Sequence, residues 1–341
     1  MKRFLNFLRQ NNRHISLAYF GAGVLVLFAL LLGVLLGSTR LSLLVLFRDL
    51  AEGVYDSPEV RILFYARLPR LLASLLAGGA LALSGAVLQG ALGNRLASPS
   101  VIGVNAGAGF AVTLAGALGI LGGFPLSLFA FLGALLSVTL ISLGAKKWGV
   151  SRGTVILMGV ALNSILGAAR DAVTVFVPDT AIMGASFRVG DFSGVSYARL
   201  IPAAVLILLT ALILFTLTNE LAVLSLGDEN AYGLGLRADR MRAIFLALSA
   251  MLAGAAVSLA GLLSFVGLLV PHAVRRLAGA SAKHLLPLSF LFGAGFVSLS
   301  DTLARTILAP YEIPVGIPMA LVGAPFFLVI LLKRRGGHKD A

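Results

Sequence analysis

Arg67-Leu-Pro-Arg70, Gly78-Gly-Ala-Leu-Ala-Leu-Ser-Gly85, Gln89 and Asn94-Arg-Leu-Ala-Ser-Pro99 follow one another in a single stretch of this 341-residue chain. Two arginines stand at the mouth of an apolar run rich in small residues, and a polar, proline-bearing turn closes its other end. Small residues let helix backbones approach closely inside a membrane. The stretch therefore reads as a tightly packed helix that starts at one water interface and finishes at the other. The rest of the chain agrees, with 59% hydrophobic and 12% charged residues, where a soluble domain carries about 25% charged. Crossing a hydrocarbon core of roughly 30 Å takes about 20 apolar residues, and such runs recur along the chain. The fold class is an all-α integral membrane protein.

Apolar runs and their charged punctuation place about ten transmembrane helices. They are expected near 16–37, 69–92, 100–118, 124–145, 153–177, 198–218, 241–262, 265–277, 286–308 and 315–332, the eighth being short for a span. Lys2, Arg3, Arg9 and Arg13 resemble the start of a signal peptide. The apolar run after them is over-long and lacks a small-residue cleavage site, so an uncleaved first helix is expected. With ten spans, Lys2, Arg3, Arg9, Arg13, Arg95, Lys146, Lys147, Arg152, Arg237, Arg240, Arg242, Arg275, Arg276, Lys283, Lys333, Arg334, Arg335 and Lys339 fall on the side of both chain ends. Arg40, Arg48, Arg61, Arg67, Arg70, Arg188, Arg199 and Arg305 fall on the other. Lys and Arg gather on the inner face of membrane proteins, so both termini are expected to be cytoplasmic.

Leu76-Ala-Gly-Gly-Ala-Leu-Ala-Leu-Ser-Gly85 matches Leu252-Ala-Gly-Ala-Ala-Val-Ser-Leu-Ala-Gly261. The first copy is expected to run inward and the second outward, which gives an inverted-topology repeat of the kind many transporters use. The halves are about 67–177 and 240–332, within one polytopic transmembrane domain covering 1–341. Gly/Ala-rich helices also align by chance, and that reading stays open.

Several functions are excluded. The chain has no Cys, hence no disulfide framework, thiol nucleophile or thiolate metal site. The net charge of +13 is scattered over span ends, with no separate basic domain to hold nucleic acid. No G-x-x-x-x-G-K-[ST] loop is present, so this chain is not expected to hydrolyse ATP itself. His14, His272, His284 and His338 are isolated, and no Ser/His/Asp cluster marks an intramembrane protease. Neither a catalytic residue nor a cofactor or metal site is expected.

The opening stretch, followed by Gly103-Val-Asn-Ala-Gly107, resembles the first half of the FecCD-type permeases, the membrane subunits of type II ABC importers for iron-siderophore, haem or cobalamin. The second half agrees through Phe265-Val-Gly-Leu-Leu-Val-Pro-His-Ala-Val-Arg275, Leu285-Leu-Pro287, Asp301-Thr-Leu-Ala-Arg305, Glu312-Ile-Pro-Val-Gly316 and Gly323-Ala-Pro-Phe-Phe327. The likeness covers about residues 60–332. Arg95 departs from the family's usual Pro, and Ile317-Pro318 from its usual Val-Thr, which puts the start of the last helix in question. The resemblance implies a multi-pass protein of the bacterial cytoplasmic (inner) membrane that carries a bulky metal chelate, ferric siderophore first and haem or cobalamin next. It further implies a homodimer, two ATP-binding cassette subunits and a periplasmic or lipid-anchored substrate-binding protein. An ion-coupled secondary transporter with inverted repeats is the alternative, although Asp171 and Asp301 lie far from mid-membrane.

Ser225 to Asp239 can form two short helices about a glycine turn, since Gly233 and Gly235 tolerate left-handed angles. By resemblance this is the ATPase-coupling element, with Asp228, Glu229 and Gly235 as its contacts; a plain solvated loop is the alternative. By resemblance again, Arg67, Arg70 and Arg305 receive acidic residues of the binding protein, a contact that steers docking and fixes register. They could instead anchor helix ends by snorkelling, and Arg305 could pair with Asp301 four residues before it. Arg170 and Asp171 either line a vestibule or reach the interface. Gln89, Asn94, Asn105 and Asn163 are expected to join helices, and His272 to be structural.

Overall fold

The computed structural model describes residues 2–39 and 41–335, with side chains for 14–39 and 41–328. Arg40, Lys339 and the cytoplasmic placing of both termini lie wholly or partly outside the described residues. In chain order the helices are α1 (Lys2–Leu35), α2 (Leu43–Glu52), α3 (Pro58–Arg61), α4 (Leu68–Ala91), α5 (Val104–Ala117), α6 (Gly123–Trp148), α7 (Arg152–Phe176) and α8 (Thr180–Val189). Then come α9 (Tyr197–Thr216), α10 (Thr218–Ser225), α11 (Asp228–Gly233), α12 (Ala238–Ala260), α13 (Val266–Ala278), α14 (Ala282–Ala304) and α15 (Gly316–Arg335). A wider turn at Ile62–Arg67 joins α3 to α4, so Pro58–Ala91 is one rod of 34 residues.

Seven helices are long and apolar enough to cross a membrane: His14–Leu35 of α1, Pro58–Ala91, α6, α7, α9, α12 and α14. This corrects the expected ten. The third and eighth expected spans are α5 and α13, of 14 and 13 residues, and the tenth has only Gly316–Leu328 as its described apolar part. The reason lies in the backbone before the two half-length helices. Residues 92–103 and 261–265 are non-helical, and they consume length that would complete a span. Such backbone is tolerated at membrane depth only where it is buried in protein or lines a water-filled cavity. The Ser98 carbonyl accepts from Val101 and Ile102, and Leu262 donates to the Phe187 carbonyl.

The rod Pro58–Ala91 is the core, 83% of its most apolar window being buried, followed by α12 at 72% and α14 at 61%. At the other extreme α7 has only 11% of that window buried. Glycine makes the central contact possible. A Cβ at Gly78 would run into the carbonyl of Gly293 and the Cβ of Val297 on α14, so only bare backbone lets the two helices approach this closely.

Both copies of the sequence repeat consist of a long helix, a broken segment, a half-length helix and a second long helix. The packing is exchanged between them: α4 lies against α13 and α14, and α12 against α5 and α6. The Ser84 hydroxyl donates to the Ser249 carbonyl at 2.8 Å, joining α4 to α12. The C-terminal ends of α6 and α13 and the N-terminal ends of α7, α12 and α14 carry Lys146, Lys147, Arg275, Arg276, Arg152, Arg240, Arg242 and Lys283. That end is cytoplasmic by the positive-inside rule, and the opposite end, with Arg67, Arg70 and Arg305, is the outer one.

Candidate functional site

Arg67, Arg70 and Arg305 come together at the outer end, where they are 4%, 8% and 3% exposed. Each guanidinium is committed to partners within the chain. Arg67 donates to the carbonyls of Val34 (2.5 Å), Leu35 (3.0 Å) and Thr39 (2.5 Å). It thereby satisfies carbonyls that the C-terminus of α1 leaves without helical donors. Arg70 grips Asp301 through Nε and Nη2 at 2.9–3.1 Å and reaches Glu312 through Nη1 at 2.5 Å. Asp191 stands 3.8 Å away. Arg305 donates to the Gly33 carbonyl at 2.7 Å, and its pairing with Asp301 along α14 is looser, at 3.8 Å. Partial burial pushes the Glu312 carboxyl up, but hydrogen bonds from Ser38 and Arg70 outweigh it and hold the group below its usual range. The arginines, Glu312, Ser38 and Phe192 line a cleft of about 290 Å³.

At the cytoplasmic end, residues 225–239 contain one short helix, α11, where two were expected; the second, α10, precedes the segment. The end of α11 explains the glycine. The Gly235 N–H meets the Tyr232 carbonyl and the Leu236 N–H the Ala231 carbonyl, both at 2.9 Å, which is a Schellman closure. Gly235 sits at φ +80°, and Gly233 stays helical. Glu229 is exposed, as are Leu226, Tyr232 and Leu234 at 61%, 51% and 66%. Asp228 turns inward instead. Its carboxylate accepts from Arg152 at the start of α7 and from Arg242 on α12, and Arg152 also donates to the Leu224 carbonyl at 3.0 Å. The hydrogen bond from Arg152, opposed by partial burial and assisted by the charge of Arg242, holds the Asp228 carboxyl below its ordinary value. It is ionised at neutral pH.

Between the two ends, the broken segments 98–101 and 263–265 line a cavity of about 410 Å³ with Leu81, Asn105, Leu268 and Phe327. Phe265 holds φ +67° there, an angle that is uncommon for a bulky residue. Asn163 on α7 donates to the Ser100 carbonyl at 3.0 Å. Gln89 donates to the Gly267 carbonyl at 3.0 Å and accepts from Arg275, so it joins α4 to α13, whereas Asn163 ties α7 to the broken segment. Asn94 instead closes a local turn, accepting from the Leu96 N–H at 2.8 Å. Arg170 and Asp171 pair with each other at 2.8 Å near the outer end of α7. Among the described residues, no group of three or more His, Asp or Glu could hold a metal ion.

Sequence reasoning did not find Arg152 and Arg242 as partners of Asp228, or Glu312 and Asp191 as partners of Arg70. The requirement that a buried charge be paired was available. The identity of a partner 76 or 242 residues away was not, because local spacing carries no such information.

The FecCD transport family model matches residues 25–333. The chain belongs to the FecCD transport family. The Fe(3+)-citrate import system permease protein YfmE of Bacillus subtilis (strain 168) is 38% identical over 78% of this chain and 80% of its own length. The hemin transport system permease protein HmuU of Yersinia pestis is 36% identical over 91% and 95%. A structure solved in an inward-facing conformation and assigned to the metal-chelate type of ABC transporter superposes with a TM-score of 0.82 at 32% identity. It covers 92% of this chain and 98% of its own. The FecCD chain is thus a non-catalytic, multi-pass permease subunit of an ABC importer in the cytoplasmic membrane, working with an ATPase and a binding protein. This assignment displaces the ion-coupled secondary transporter.

Proposed function

We propose that this chain forms the path by which a bulky metal chelate enters the cell, ferric siderophore first and haem or cobalamin next. Two copies form a homodimer that carries two ATP-binding cassette subunits on the cytoplasmic face and receives a periplasmic or lipid-anchored binding protein outside. The relatives named for ferric citrate and hemin support the substrate class. The exposed faces of α7 and α15 support the second copy, since α7 carries Ser164 and the Arg170–Asp171 ion pair on a face where contact with lipid would be costly. Segments 67–177 and 240–332 are the inverted halves.

The observation that carries this reading is the cytoplasmic knob at α11. Leu226, Tyr232 and Leu234 stand exposed beside Glu229 in a chain without an ATP-binding motif, and an apolar tip in water needs a partner to cover it. Asp228, Glu229 and Gly235 are its coupling residues: Glu229 faces the ATPase, Gly235 sets the turn and Asp228 holds the base. Leu234→Glu tests the contact. Placing a charge at a buried hot spot costs about 2 kcal/mol or more. Co-purification with the ATPase is therefore expected to fail while the melting temperature of the permease alone stays put. Undiminished co-purification removes the reading.

On the outer face the binding protein docks over the cleft floored by Arg67, Arg70 and Arg305. Because these guanidiniums already serve the fold, reversing their charge confuses docking with folding, and the rim gives a cleaner test. Glu312 competes for Arg70 with any incoming carboxylate. Glu312→Gln is expected to tighten docking about threefold to tenfold at low salt and to steepen its salt dependence. Titration of labelled binding protein against both permeases reads this, and unchanged or weaker docking excludes Arg70 as a receiver.

A further inference from the structure

We infer that Asp228 is a positioning residue whose ion pair with Arg152 passes displacement of the knob into α7 and from there to the wall of the central cavity. This rests on the reading of the knob as the ATPase contact. Three observations carry it. Asp228 is the first residue of α11, yet its carboxylate points away from the exposed tip and bonds to Arg152 and Arg242. Arg152 is the first residue of α7 and holds Asp228 and the end of α10 at once. Finally, α7 is the least buried of the long spans, and it touches the cavity wall at two points. A Cβ on Gly159 would strike the carbonyl of Val101, and Asn163 donates to the Ser100 carbonyl.

Arg152 and Arg242 do different work. Arg242 is 8% exposed on the well-packed α12 and has a second carboxylate partner, Asp239, at 3.2 Å. It anchors the base of the knob to the core. Arg152 joins that base to α7, which within the chain packs mainly against α5. A displacement of α11 is therefore anchored at α12 and passed along α7, whose contacts at Gly159 and Asn163 lead to the cavity wall. Charge-assisted bonds suit the joint because they are short and roughly twice as strong as neutral ones. Spatial continuity alone is not coupling, so the test measures the far end.

The chain has no cysteine, so Ser100→Cys introduces a single reporter on the cavity wall. The complete complex with its ATPase is assayed for maleimide labelling, nucleotide-free and trapped with ATP and vanadate. In the parent, trapping is expected to change the labelling rate by about threefold or more, a coupling of the ordinary allosteric size. In Asp228→Asn the complex still assembles and the change falls below about 1.5-fold, while Asp228→Glu restores it. Arg152→Gln reproduces the loss and adds nothing to Asp228→Asn, as expected of residues acting through one bond. A merely structural role would alter the labelling rate in both states and leave their ratio unmoved. If Asp228→Asn assembles and keeps the parent's ratio, the joint does not exist. Failure to assemble makes Asp228 a direct contact, which overturns the positioning role and leaves the knob reading intact. Retention of the ATPase by Leu234→Glu, by contrast, removes the knob reading and this inference with it.

Discussion

Arg70→Met is expected to lower the stability of the permease by about 3–5 kcal/mol, the usual cost of removing one member of a buried ion pair. The reason is what the substitution leaves behind. Asp301 is 1% exposed and bonded to Arg70 through both carboxylate oxygens. Its other cation, Arg305, stays at 3.8 Å, beyond hydrogen-bond distance. Without Arg70, the Asp301 carboxyl loses its bidentate donor in the apolar bundle and must carry an uncompensated charge or take up a proton, and the tie from α4 to α14 and to the Glu312 loop is lost. The double variant Arg70→Met/Asp301→Leu removes the stranded charge along with the pair and is expected to recover at least part of the loss, since an apolar replacement of a buried pair is often neutral. Thermal unfolding of the detergent-solubilised protein reads both variants. A melting temperature for Arg70→Met equal to that of the parent would mean that the cluster does not hold the outer end together.

Gly235→Val is expected to abolish most ATP-driven uptake while the chain still inserts and folds. Gly235 ends α11 at φ +80°, and nothing lies within 4 Å of where its Cβ would be. The penalty is thus purely one of backbone, about 1–3 kcal/mol for a bulky residue held in a left-handed conformation. That is a large fraction of what holds a six-residue helix, so the Schellman closure opens and Leu234 loses its presented position. Stimulation of ATP hydrolysis by loaded binding protein falls with uptake. Gly233→Ala is the control, because Gly233 is helical and has open space around it; it leaves both activities at the parent's level. Full stimulated hydrolysis in Gly235→Val would show that the knob's shape does not matter to coupling.

These cases show what the chain reveals before folding. The small-residue run of α4 and its match in α12 were legible because helix packing in lipid demands bare backbone at repeated positions, as Gly78 against Gly293 illustrates. The glycine turn after α11 was legible for a similar local reason. The number of spans was over-read. Hydropathy counts apolar residues without regard to whether they are helical, so the irregular residues 100–103 before α5 passed for span, while α13 was legible as a segment short for a span. The three arginines gather at one end of the bundle, opposite the lysine-rich end, but their burial was not foreseen. Their partners, such as Glu312 for Arg70, are brought in by tertiary packing of helices far apart in sequence. Asp228 was singled out for its charge in a cytoplasmic loop, whereas its geometry depends on Arg152, a residue that sequence treats as one more inner-face cation.

The central claim, that this chain is the ATP-driven path for a metal chelate, is tested most directly in proteoliposomes. The permease is reconstituted with its ATPase inside and its binding protein outside, and internalised iron is followed with a radiolabelled ferric siderophore that the binding protein holds. Uptake is expected only with enclosed ATP and with binding protein present, and it persists when ionophores collapse every ion gradient. Uptake that survives without ATP but stops when a proton or sodium gradient is dissipated would contradict the account.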